Sequence, residues 1–262
     1  MSLAALHLVL VGSALVATMM FLLWLLHLLL NNASVVDPGW AAGLAILAVT
    51  YALLGPGYFW RRWLGAGMAL LWGARLSIYL ARRIAGQPEE GRYQQLRKEW
   101  GGNLKAKFLA FFEFQALLDV FLSLPFLVAA LNTNSKLRPL EYAAVALWVV
   151  AFTGEATADA QLAAFKRDPA SRGQVCERGL WNYSRHPNFF FEWLIWVAWA
   201  LFGLASPYGW LAMACPPLML YFLFRVTGIP ATEEQALRSR GDAYRRYQET
   251  TSAFVPWFKK IA

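Results

Sequence analysis

Long apolar runs alternate with polar links through most of the chain. Seven runs reach the roughly 20 residues that cross a hydrocarbon core. They lie at approximately 3–30, 40–59, 64–81, 108–131, 140–165, 188–205 and 207–226. The pattern predicts an all-α polytopic membrane protein with seven transmembrane helices. The first run has no basic segment before it and is too long for the core of a signal peptide, so it reads as a retained helix. Two links are short, residues 60–63 and Ser206, and imply antiparallel hairpins. The polar stretches are 82–107, 166–187 and the tail 227–262. No internal repeat or low-complexity segment divides the chain, so one membrane domain suffices.

Charge orients these spans. Lys and Arg number 7, 5 and 7 after spans three and five and from Arg225 onward, against 0, 0, 2, 2 and 0 at the N-terminus and in the other links. Cytoplasmic loops carry the excess of basic residues. The N-terminus is therefore expected outside, and the C-terminus in the cytoplasm. A composition that is 58% hydrophobic with 13 Trp agrees with an integral membrane protein, and the net charge of +8 then needs no nucleic-acid partner. Cys176 and Cys215 fall in a loop and a late span, where a disulfide is not expected. No Cys/His set has zinc spacing, and no metal is expected.

The most informative stretch is Gly179–Phe191, GLWNYSRHPNFFF, followed by Glu192. It places Tyr183, Arg185, His186, Asn188 and Glu192 at the mouth of span six. Asn188 and Glu192 are four apart and share one helical face. Pro187 suits the first turn of a helix, and a helix N-terminus beside Arg185 is a seat for phosphate. Spans four and five carry Glu113, Asp119, Glu155 and Asp159. A carboxylate in hydrocarbon costs about 2.5–3.5 kcal/mol on insertion scales. Glu113 reads as a snorkelling residue near the boundary. Asp159, near Lys166, shares its depth with Glu192 and Arg185 and reads as functional.

Arg82, Arg83, Arg92, Lys166, Arg172, Arg185 and Arg225 gather at the cytoplasmic boundary. Topology and lipid headgroups account for most of them, while an anionic cofactor would need three or four. Before span two stands Ser34-Val-Val-Asp37-Pro-Gly-Trp40. Asp37-Pro38 is either a helix cap with proline in the first turn or a carboxyl at the rim of a lipophilic cavity. Soluble-enzyme motifs are missing: no GxSxG, Walker loop or HExxH. Gly65-Ala66-Gly67 lies in a span with no βαβ frame.

The RHPNFFFE stretch after GLWNYS, Arg92-Tyr-Gln-Gln-Leu-Arg97 with Glu99-Trp-Gly101, and the tail Arg240-Gly-Asp-Ala-Tyr244-Arg-Arg-Tyr247 through Trp257 resemble bacterial members of the steroid 5α-reductase family. That resemblance implies a seven-helix fold that binds NADPH in a cytoplasm-facing cavity and reduces the double bond of a Δ4-3-ketosteroid or related lipophilic enone. It implies a substrate half, 1–131, and a cofactor half, 132–262. Asp159, Lys166, Asn188 and Glu192 match cofactor positions of the family, and Arg185 and His186 match the variant motif of related sterol reductases. Tyr244 and the pair Glu233 and Glu234 fall in the tail that closes over the nucleotide. Arg172, Tyr183 and Arg225 join the expected cofactor set.

Asp37 falls where the family has a Glu that holds the substrate ketone. The partner tyrosine of that Glu aligns loosely with Trp72, and Tyr79 follows two turns on. The expected catalytic pair is thus Asp37 and Tyr79, with Trp40, Trp72 and Glu113 against the substrate. Were Asp37 only a cap, the donor would lie among Tyr79, Glu113 and Tyr93. Isoprenylcysteine carboxyl methyltransferases share the RHP motif and an acidic-aromatic tail, which implies S-adenosylmethionine as the alternative cofactor. The non-enzymatic alternative is a membrane protein that only binds lipid.

Overall fold

The computed structural model describes residues 2–226 and 228–259. Thr227 and residues 260–262, parts of the polar tail, lie outside the described residues. The chain is all-α, and its apolar helices make it an integral membrane protein. Six of them, among the described residues, are long and apolar enough to cross a membrane, and one bent pair completes the seventh span. Two compact units result. The first comprises Met1–Arg138 with Phe202–Ala212, the second Pro139–Leu201 with Met213–Ala262.

In the first unit, α1 runs over Leu3–Leu30. Ser2 caps it through its hydroxyl to the Ala5 amide, and Asn31 ends it in the left-handed conformation. It is apolar all round, and Leu10, Phe21 and Leu22 stay exposed, as a lipid-facing helix requires. Helix α2 spans Val36–Leu54 and α3 spans Phe59–Ile84. The hairpin between them turns at Gly55-Pro56-Gly57, not at the expected residues 60–63. Glycine and proline stop α2 there, and the amides of Gly57 and Tyr58 donate to the carbonyls of Ala130 and Asn132 at 2.8 and 2.9 Å. Trp60–Trp63 is helical instead, and Arg61 within it is fully buried. Its guanidinium caps the carbonyls of Asn132, Asn134 and Lys136 at 3.2, 2.6 and 2.6 Å.

The basic stretch after α3 is itself partly helical, as α4, Gly91–Trp100. The expected span 108–131 is two helices, α5 (Leu104–Leu122) and α6 (Leu124–Leu131), bent by 43°. Pro125 causes the break, because its ring removes an amide and disfavours helix in the residue before it. Glycines let the helices approach closely, as small residues do in membranes. A Cβ on Gly73 of α3 would stand 2.7 Å from the Ala41 carbonyl oxygen and 2.9 Å from Ala45 of α2.

The second unit begins with α7, Pro139–Arg167. Its 29 residues are about 43 Å long, more than the roughly 30 Å hydrocarbon core. Helix α8, Pro187–Leu204, starts at the proline the sequence pattern marks. The expected seventh span is broken into a 3-10 segment, the short α9 (Cys215–Tyr221) and a π turn to Val226. Pro216 and Pro217 restart the helix. Two polar helices follow, α10 (Ile229–Arg240) and α11 (Asp242–Thr250), divided by Gly241 at φ +52. Cys176 and Cys215 are buried free thiols.

Gly73→Val is expected to lower the melting temperature in detergent, with a loss of about 1–3 kcal/mol from overpacking. Gly67→Val, where a Cβ meets nothing within 4 Å, is the control and should melt as the parent. Equal melting of the two variants would refute the close α2–α3 contact.

Candidate functional site

Polar constellations stand in both units. In the first, Asp37 sits in the first turn of α2. The helix begins at Val36 with no side-chain cap, so Asp37 is not the capping residue. Its carboxylate is spent otherwise. Oδ1 accepts from the Tyr93 hydroxyl at 2.6 Å, and Oδ2 pairs with Arg92. Both partners come from the start of α4, fifty-five and fifty-six residues on. Tyr93 is 2% exposed, and the Arg92 guanidinium stands 4.8 Å over its ring. Burial, with the Asp37 charge added, pushes the Tyr93 phenol well above its ordinary range, so it stays a proton donor.

A second shell of ion pairs holds the loop that carries α4. Arg97 donates to both oxygens of Glu89 at 2.7 and 2.9 Å and approaches His27 Nε2 at 3.2 Å. Glu89 accepts from the Ala33 amide at 2.7 Å, and the Glu90 amide donates to Ser34 Oγ at 2.9 Å. The residues just before α2 are thereby tied to the residues just before α4. Of the other expected substrate residues, Trp72 is fully buried and meets Trp40 edge-on at 5.9 Å. Glu113 is half-buried on α5, and Tyr79 is 42% exposed on α3. The hydroxyl bonded to Asp37 belongs to Tyr93. Its signal in the sequence was the Arg92-Tyr93 pair beside a glycine-started polar helix.

In the second unit, the residues leading into α8 meet the tail. Arg185 Nε donates to Glu233 Oε1 at 2.7 Å, and its NH1 donates to the carbonyls of Gln248 and Thr251 at 2.9 and 2.6 Å. His186 Nε2 lies 3.2 Å from the same Glu233 oxygen, and Gln248 Nε2 donates to the other at 2.8 Å. His186 is 2% exposed and stacks on Phe189. Arg185 thus serves first as a latch between α8, α10 and α11. Glu233 is the inward member of the acidic pair. Glu234 points outward and pairs with Arg238 one turn on. Tyr244 packs on Tyr247, and burial pushes its phenol up to about 12.

Deeper along α8, Asn188 Nδ2 donates to Asp159 Oδ1 of α7 at 3.2 Å, and Glu192 Oε1 accepts from Trp196 at 2.9 Å. Asn188 Oδ1 is buried with no hydrogen-bond partner among the described residues. A buried acceptor left alone costs about 1–3 kcal/mol, so it marks where a donor is missing. Lys166, Arg172 and Arg225 are exposed, Tyr183 is 40% exposed, and the side chains of Arg172 and Arg225 make no hydrogen bond or ion pair with a described residue.

Fold and constellations together define a polytopic α-helical membrane protein that holds ionisable groups at the starts of its spans. The chain belongs to the family described as "Protein of unknown function (DUF1295)", whose profile it matches over residues 23–251. It is also similar to "Uncharacterized protein C594.04c" of Schizosaccharomyces pombe, at 27% identity over 268 residues, 89% of this chain and 75% of that protein. No solved structure matches it.

Glu233→Ala should open the tail, because it strips a partner from Arg185, His186 and Gln248. A local loss of about 1–3 kcal/mol is expected, read as faster limited proteolysis between α10 and α11. Glu234→Ala should cleave like the parent. Equal cleavage of both variants would dissolve the latch.

Proposed function

We propose that this protein is an NADPH-dependent membrane reductase of a lipophilic enone, such as a Δ4-3-ketosteroid. The observation that carries the reading is the Tyr93–Asp37 pair, a protonated phenol held 2.6 Å from a carboxylate at the start of a span. Ionisable groups at that depth are costly and mark function more often than structure.

The chain's residues fit the cofactor. The unpartnered Asn188 oxygen suits the amide N–H of a carboxamide, and Asp159 stands beside it as a second acceptor. Arg172, Arg225 and Lys166 are exposed cations for phosphate groups, on the side read as cytoplasmic from the basic loops. These residues would hold NADPH, and the chemistry it would supply is the hydride that reduces the double bond of an enone. The protein's part is to meet the negative charge that then develops on the ketone oxygen. The Tyr93 hydroxyl, which donates to Asp37, carries the proton that a ketone oxygen seated beside it would take up. Arg92 supplies the countercharge on the far carboxylate oxygen. Asp37 is thereby the group that aims the Tyr93 hydroxyl rather than a lone acid. Trp40 and Trp72 put flat apolar rings near the same helix start.

Tyr93→Phe and Asp37→Asn should each cut enone reduction by roughly 10²–10³-fold, the usual cost of one donor to a developing oxyanion. NADPH affinity, followed by its fluorescence, should not change. Asn188→Ala should weaken NADPH binding instead. Full turnover in Tyr93→Phe would remove the pair from the chemistry. Binding of S-adenosylmethionine in place of NADPH would replace the reading with a carboxyl methyltransferase.

A further inference from the structure

Residues 251–259, after α11, play no part in the chemistry above. They form an extended strap with no helix. Ser252 bridges Ser184 in parallel, the Arg185 amide donates to the Ser252 carbonyl at 2.8 Å, and the Trp257 amide donates to the Tyr183 carbonyl at 2.9 Å. Ser184 Oγ donates to the Phe254 carbonyl at 2.8 Å. The strap is pinned along its length to the residues that lead into α8. It nevertheless turns large apolar side chains outward. Trp257 and Phe258 are 69% and 76% exposed, and the Phe258 ring meets Tyr183 edge-on at 6.2 Å. A fixed backbone that displays two open aromatics calls for an apolar or amphipathic partner.

Hydrogen bonds set the depth of this patch. Trp257 is bonded to residue 183, one helical turn's worth of chain before α8 begins. The neighbouring Trp181 Nε1 donates to the Ala158 carbonyl at 2.9 Å, about two and a half turns before α7 ends. Helix α7 is longer than the hydrocarbon core, so its last turns project into the headgroup region. The patch therefore lies where the hydrocarbon ends, the level that Trp and Tyr favour. The adjoining Lys259 lines a cavity of about 500 Å³ with Glu177, Arg246, Tyr247, Thr250 and Gln174. Lys259 pairs with Glu177, while the Arg246 guanidinium has no polar partner among the described residues.

We propose that the strap is an interfacial anchor for an anionic phospholipid. Trp257, Phe258 and Tyr183 rest among the headgroups, and the Arg246–Lys259 cavity takes the lipid phosphate. The test uses the full chain, one copy per nanodisc, with Cys176 and Cys215 replaced and Phe258→Cys carrying an environment-sensitive fluorophore. The discs contain phosphatidylcholine with or without phosphatidylglycerol. Relative to detergent, the probe should shift to the blue, lose iodide quenching several-fold and gain quenching by spin-labelled lipid. Phosphatidylglycerol should enlarge the shift, and Arg246→Gln should erase only that increment. A probe as open to iodide in the disc as in detergent, or indifferent to spin-labelled lipid, would overturn the anchor. An increment absent from phosphatidylglycerol discs would overturn the phosphate seat. One reproduced by soluble glycerol phosphate over pure phosphatidylcholine would assign the seat to a free phosphate ester.

Discussion

A charged group at the edge of a bilayer must be answered by another polar group of the same chain, because hydrocarbon answers none. Three residues show how far that constraint organises this protein. Arg61 is completely buried and spends its donors on three carbonyls of the segment after α6, so a chain reversal is closed by a cation rather than by turn chemistry alone. Arg185 spends its donors on Glu233 and two tail carbonyls, so a polar tail is bound to the first turn of a span. Asp37 accepts from Arg92 and Tyr93, so a short helix outside the spans is fastened to the start of α2.

Hydropathy made the spans legible because lipid imposes a length and forbids open backbone. Breaks inside spans were less visible. Pro125 and Pro216 interrupt helices whose side chains remain apolar, and an apolar count passes over them. The hairpin after α2 was displaced for the opposite reason. Arg61 and Arg62 look like a polar link, yet both are helical and bonded to backbone carbonyls.

The polar contacts were legible in part. Asp37, Asn188 and Asp159 stood out as polar groups at apolar depth, and α7 and α8 do bring Asp159 to Asn188. Tyr93 did not stand out as the partner of Asp37, since a tyrosine in a polar helix is ordinary and the contact spans fifty-six residues. Glu233 and Glu234 are adjacent, and only the rotation of α10 decides which one faces Arg185. That rotation is set by tertiary packing of Ile229 and Ala236, which periodicity in so polar a helix does not announce.

The latch on Arg185 has a consequence for biosynthesis. Its partners, Glu233, Gln248 and Thr251, all lie forty-eight to sixty-six residues further along the chain. Arg185 and the start of α8 therefore leave the ribosome before the residues that hold them do. During that interval Arg185 and His186 stand at a span's mouth without the carboxylate that later holds them. Insertion and completion of this region are separate events, and the nascent protein is a membrane-inserted chain before its second unit is whole.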